Sequence, residues 1–178
     1  MADINTLISQ FSSFKSTFKD TSFDDSNGVH LCTDETQSVI NYDKLIEHKY
    51  QDSNERPKSF DALYVHNELI FCIEFKNQKP AQISNSEVQE KIVDGKNELV
   101  NLLQALNIQK NNYKFVYCVA YKECKEPYDR YKCGVTKEKV QFGLETYVQN
   151  GFVEKVYTQN VSFFTKQFKH QLQKELAC

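Results

Sequence analysis

No stretch of about 18 consecutive apolar residues occurs in this 178-residue chain, so a membrane-spanning helix is not expected. The opening MADINTLISQFSSFKSTFKD has no basic segment leading into an apolar one, and so does not read as a secretory signal. The sequence also lacks a C-x-x-C pair. Its six cysteines, Cys32, Cys72, Cys118, Cys124, Cys133 and Cys178, stand apart. Cys72 and Cys118 fall in apolar runs, where a free thiol behaves as a small hydrophobe. The expectation is a reduced, cytoplasmic chain without disulfides. Cys118, Cys124 and Cys133 lack a well-spaced fourth partner for a metal or iron–sulfur site. There is no excess of positive charge: 22 Lys and Arg face 24 Asp and Glu, for a net charge of -2. No bulk field attracts nucleic acid, so any contact with it must come from a local patch. Internal repeats are missing, as are helix-turn-helix and zinc-finger patterns.

What is present is a succession of helical and strand patterns. Ile4, Leu7, Ile8, Phe11, Phe14 and Phe18 recur at three- and four-residue steps, which predicts an amphipathic helix over 3–19. A polar, turn-rich break follows at 20–28. Val39, Tyr42, Leu45 and Ile46 predict a second helix over 36–51. FDALYVH and LIFCIEFK read as two strands joined at His66-Asn67-Glu68, a short turn containing Asn, which tolerates left-handed backbone. The longest helical pattern covers 86–108, with Gly95 weakening its middle by about 1 kcal/mol relative to Ala. KFVYCVAY (114–121) is a continuous apolar run, the mark of a buried strand. A helix ending at Gly151, a candidate edge strand FVEKVYT and a C-terminal helix complete the chain. The pattern predicts one α/β domain over 1–178, a small mixed sheet flanked by helices.

Three charges interrupt the apolar hairpin: Asp61, Glu74 and Lys76. Charge in a buried strand is costly unless it is paired or holds a metal. Side chains alternate along a strand, so Cys72, Glu74 and Lys76 share one face and Phe71, Ile73 and Phe75 the other. Asp61 lies on the paired strand near the same end of the hairpin. Two carboxylates and one ammonium therefore converge. Like charges this close call for a divalent cation, and oxygen ligands suit Mg²⁺ or Mn²⁺. A lysine beside them can orient or deprotonate a water, or stabilise charge on a phosphate. The combination fits metal-assisted phosphodiester hydrolysis. The plainer alternative for Glu74-x-Lys76 is a solvated ion pair on an exposed strand face, worth about 0–1 kcal/mol.

Asp61-x12-Glu74-x-Lys76 resembles the motif of the PD-(D/E)XK nuclease superfamily: an acidic residue at the start of one strand and an (Asp/Glu)-x-Lys on the next. The order of flanking elements is also similar, and the resemblance spans about 36–121, the nuclease-like core. Phe60 stands where the name-giving motif has proline. The resemblance implies a restriction-endonuclease-like fold and a nuclease cutting DNA or RNA with Mg²⁺ or Mn²⁺. Asp61, Glu74 and the backbone carbonyl of Phe75 would be metal ligands, and Lys76 the catalytic lysine. The preceding helix usually adds an acid. Asp43 and Glu47 both qualify, at i and i+4 on one helical face, with Glu47 the first choice and His48 a further option. The following helix can lend a polar group that meets nucleic acid, here Gln89 or Lys91. Lys166, Lys169, His170 and Lys174 are spaced to share parts of a helix surface and could touch phosphates, although a solvated face is the simpler account of them. Partners on this reading are nucleic acid, a second copy of the chain for double-strand cleavage, or a protein partner. The setting would be restriction, repair, defence or a toxin. The alternative is a catalytically idle binding module on the same fold, acting as an immunity or adaptor protein.

Overall fold

The computed structural model describes residues 4–123, 140–174, 176 and 178. Its centre is a six-stranded mixed sheet in the order β1-β4-β5-β6-β7-β8. The strands are β1 (Lys15–Thr17), β4 (Ser38–Asn41), β5 (Ala62–His66), β6 (Leu69–Lys76), β7 (Lys114–Tyr121) and β8 (Lys155–Asn160). The first four pair antiparallel, and β6, β7 and β8 run parallel. A separate two-stranded hairpin, β2 (Phe23–Asp24) with β3 (Val29–His30), lies outside this sheet.

Helices cover both faces. On one side α1 (Ile4–Gln10), α3 (Tyr42–Lys49) and α4 (Asn85–Ala105) pack on Leu63, Ile70, Cys72, Tyr117 and Val119. On the other, α2 (Phe18–Thr21) and α6 (Val161–Leu172) pack on Tyr64, Phe71, Ile73, Phe75 and Cys118. A short α5 (Glu145–Gln149) precedes β8. The α/β class, the hairpin, the long helix, the buried strand and the C-terminal helix are all as the residue pattern predicts. The turn residue Asn67 takes φ 52°, the left-handed conformation that asparagine accepts readily. Among the described residues β8 pairs only with β7, as the edge strand expected of FVEKVYT.

Three expectations fail. The helix predicted over 3–19 breaks after Gln10 into a 3-10 turn, Ser12–Phe14, and then strand β1. Lys15, Ser16 and Thr17 instead pair with Ile40, Val39 and Ser38, so sheet pairing overrides a helical stripe in a segment rich in Ser and Thr. Thr17 then caps α2 by accepting the Asp20 N–H. The helix predicted over 36–51 begins only at Tyr42. Ser38–Asn41 is strand, and Asn41 accepts the Lys44 N–H as the N-cap, a role asparagine fills well. Finally, Cys32 and Cys178 form a disulfide, against the expectation of a chain without one. A separation of 146 residues leaves no local trace in sequence. Cys72 and Cys118 are free and buried, as expected. Cys124, Cys133 and residues 136–139 of the helix expected before Gly151 lie outside the described residues; of the remainder only Glu145–Gln149 is helical.

Candidate active site

The register of the hairpin places the charges. Ala62 pairs with Ile73, so Asp61, one residue earlier, stands opposite Glu74. The Asp61 N–H donates to the Ile73 carbonyl, and Asp61 Oδ2 accepts the Phe75 N–H at 2.6 Å. Phe75 thus enters the site through its main chain while its ring packs in the opposite core. These residues sit at the carboxyl end of β6, which runs parallel to β7; open α/β sheets bind ligands outside the carboxyl ends of their strands.

Helix α4 supplies the counter-charges. Ser84 caps it by accepting the Glu87 N–H. Glu87 and Lys91, four residues apart, share the face over the strand end. Lys91 Nζ lies 2.7 Å from Glu74 Oε1, and Lys76 Nζ lies 3.1 Å from the same oxygen and 2.5 Å from Glu87 Oε1. Glu74 is 1% exposed, and its Oε2 is buried without a hydrogen-bond partner. A buried carboxylate oxygen without a partner costs about 1–3 kcal/mol or more.

These contacts shift the protonation equilibria. Burial, then the nearby charge of Glu74, pushes the Asp61 carboxyl well above the usual carboxylate range; Lys91 and the Phe75 N–H oppose this. Burial pulls the Lys76 ammonium down, but Glu74 and Glu87 outweigh it and hold its pKa above the ordinary lysine value. For Lys91, burial is likewise outweighed by Glu74 and Asp61, which raise it. The hydrogen bond from Lys76 lowers the Glu87 carboxyl. Both lysines are therefore ammoniums at neutral pH.

A solvent-open cleft of about 480 Å³ exposes this cluster. Its far wall is the 21–27 segment and Leu31. Asp24 in that wall accepts from Asn77 at 2.8 Å, tying the small hairpin to the residue after Lys76. Asp24, Asp25, Asp61, Glu74 and Glu87 line the cleft against Lys76 and Lys91. A polyanion cannot enter such an acidic cleft cheaply unless a cation first neutralises it.

Asp61, Glu74 and Lys76 come together as the hairpin geometry requires, and Lys91 joins them. Glu47 does not. Tyr42, Leu45 and Ile46 bury one side of α3, which turns Glu47 outward to pair with Arg56 at 2.9 Å, its side chain 64% exposed. Asp43, one turn earlier, accepts from Ser59 Oγ, and its charge acts on both Asp61 and Lys91. Asp43, not Glu47, is the acid that α3 turns toward the site. His48 sets its ring tilted against Phe14, centroids 5.4 Å apart. Gln89 faces away from Lys91 and donates to the Phe142 carbonyl at 2.8 Å. Lys174, on the opposite side of the sheet, lies over the Tyr64 ring. Glu87 and Asp24 are the site residues that sequence reasoning missed. The Glu87-x-x-x-Lys91 spacing on a helix following an (Asp/Glu)-x-Lys strand was the available signal for Glu87; nothing local marks Asp24.

The donors present fit a small divalent cation. Two carboxylates face each other, one keeps an unpartnered buried oxygen, and the main chain of Phe75 adjoins them. Among the described residues no group of three or more His, Cys, Asp or Glu side chains gathers closely enough to hold a metal ion. A cation here would rest on Asp61, Glu74 and main-chain oxygen. Comparison with known proteins finds no relative: no family model matches the chain, nor does any curated protein or solved structure.

Proposed function

We propose that this protein is a metal-dependent phosphodiesterase acting on nucleic acid. The observation that carries the reading is the opposition of Asp61 and Glu74 across the hairpin, with Lys76 on the same strand face, at the floor of an open cleft. Asp61, Glu74 and the Phe75 carbonyl would hold Mg²⁺ or Mn²⁺. When bound, the cation would neutralise the carboxylates, lower the pKa of a ligated water and polarise the phosphate.

The chain's own groups divide the remaining work. The Phe75 N–H fixes the Asp61 carboxylate in orientation. Glu87 holds Lys76 Nζ over the cleft. Because its neighbours raise its pKa, Lys76 keeps its proton and acts as an ammonium. Its role is to stabilise charge on the phosphate rather than to serve as a general base.

One observation favours a second reading, a nuclease-like binding module without catalysis. Lys91 already neutralises Glu74 at 2.7 Å, as a permanent internal partner would. The two readings separate in one assay: plasmid, single-stranded DNA and structured RNA incubated with the protein in Mg²⁺, Mn²⁺ or EDTA. Cleavage that needs the cation and falls about 10²-fold in Lys76→Met supports the enzyme. A Met variant with wild-type rates removes Lys76 from catalysis, and no cleavage of any substrate leaves the binding module.

A further inference from the structure

The cluster at the strand end has a charge pattern that bears on its regulation. Three carboxylates, Asp61, Glu74 and Glu87, face two ammoniums, Lys76 and Lys91. The ammoniums are held differently. Lys76 bridges two acids, Glu74 and Glu87. Among the described residues Lys91 is bonded to Glu74 alone, while feeling the charges of Asp61 and Asp43. Its side chain is 18% exposed at the cleft and rises from α4, beside the two strands that carry the acids. A long aliphatic stem lets its ammonium move without moving the helix.

Resting on the nuclease reading, we propose that Lys91 is the site's built-in counter-cation: a divalent ion displaces its ammonium from Glu74, and the freed charge then meets the substrate phosphate. A divalent ion between Asp61 and Glu74 competes with Lys91 for the same carboxylate and repels its ammonium at short range. Lys76 stays, because Glu87 holds it as well as Glu74 does. The freed Lys91 gives the acidic cleft a mobile positive charge when a phosphate must enter. Cation and phosphodiester therefore bind cooperatively, and by linkage each raises the affinity for the other. Before the cation arrives, Lys91 offsets the buried charge of Glu74 at 2.7 Å.

Two measurements test this without relying on turnover. The first is Mn²⁺ titration calorimetry on wild type, Lys91→Met, Lys91→Arg and Asp61→Asn. Lys91→Met should bind Mn²⁺ on the order of tenfold more tightly than wild type, since a competing unit charge is gone. Lys91→Arg, which keeps the charge, should show no gain, and Asp61→Asn should lose binding. Equal or weaker affinity in Lys91→Met, with wild type binding normally, overturns the counter-cation role and leaves the nuclease reading standing. No Mn²⁺ binding by either protein overturns both. The second measurement uses wild type only, so it survives a poorly folding variant. Labelling by an amine-reactive ester, read by mass spectrometry, should rise severalfold at Lys91 on saturation with Mn²⁺ and change little at Lys76. Unchanged labelling at Lys91 with Mn²⁺ bound contradicts displacement.

Discussion

Two buried glutamates lie on the same side of the sheet, and they are not alike. Glu98 on α4 is 5% exposed. One of its oxygens accepts from Lys49 and the other from Asn101 at 3.1 Å, and it also engages the Tyr50 hydroxyl. Both oxygens have a protein partner, and Lys49 reaches it from a partly solvated position. Glu74 is 1% exposed, crowds two lysines onto one oxygen and leaves the other with none. Across from it stands a second carboxylate, Asp61. Glu98 closes a helix–helix contact. Glu74 leaves a polar demand open at the floor of a cleft. A buried acid with incomplete bonding and a like charge facing it is the stronger candidate for a site.

The sharpest way to break this comparison is to neutralise each acid. Glu74→Gln should lower nucleic-acid cleavage by about 10²-fold or more, the scale of one positioned electrostatic group. Glu98→Gln should leave turnover within about twofold, since it touches nothing in the cleft. Equal losses in the two variants, measured as initial rates at saturating Mg²⁺, would remove the distinction.

Packing gives the next largest effect. A Cβ on Gly95 would lie 2.8 Å from the Phe60 ring, which stacks on Tyr42 at 4.3 Å. Gly95→Ala relieves the helix-propensity cost of glycine but pushes on Phe60, the residue before Asp61. The expected outcome is a net loss of about 1–3 kcal/mol in denaturant unfolding, as for other overpacked cores. Glu98→Ala should cost somewhat less, about 1–2 kcal/mol, because Lys49 can return to water while Asn101 loses a partner. A larger loss in Glu98→Ala than in Gly95→Ala would mean that the Glu98 network is more deeply buried than its solvated lysine suggests.

The smallest effect is on the pH dependence of stability. Asp61 has a folded-state pKa raised above the ordinary carboxylate range by burial and by Glu74. Between those two values the folded protein holds a proton that the unfolded chain has released. Stability should therefore fall as pH rises through that window. Thermal unfolding in EDTA should show the decline in wild type and a flatter profile in Asp61→Asn. A steeper decline in the Asn variant would contradict the cause assigned to the shift.

Much of this was legible from residue order, and the exceptions have physical causes. The hairpin and its convergent charges follow from a period of two and one short turn, so Asp61 opposite Glu74 needed no tertiary information. The long helix α4 and strand β7 declare themselves by length and apolar continuity. The N-terminal helix did not survive, because pairing of Lys15–Thr17 with β4 outweighs a helical stripe in a Ser- and Thr-rich stretch. The choice between Asp43 and Glu47 depended on the rotation of α3, set by the stacking of Tyr42 on Phe60 some 18 residues away. Its place on the helix after the motif marks Lys91 as a candidate nucleic-acid contact. Its bond to Glu74 comes from the way α4 lies over β6, which no local pattern encodes.

The most direct test of the central claim is cleavage of a polynucleotide by wild type and Asp61→Asn, each in Mg²⁺ and in EDTA, with folding of both proteins checked by circular dichroism. The account predicts cleavage by wild type in Mg²⁺ alone, and none by a folded Asp61→Asn protein in either condition. Cleavage that persists in EDTA, or at wild-type rate in Asp61→Asn, would contradict it.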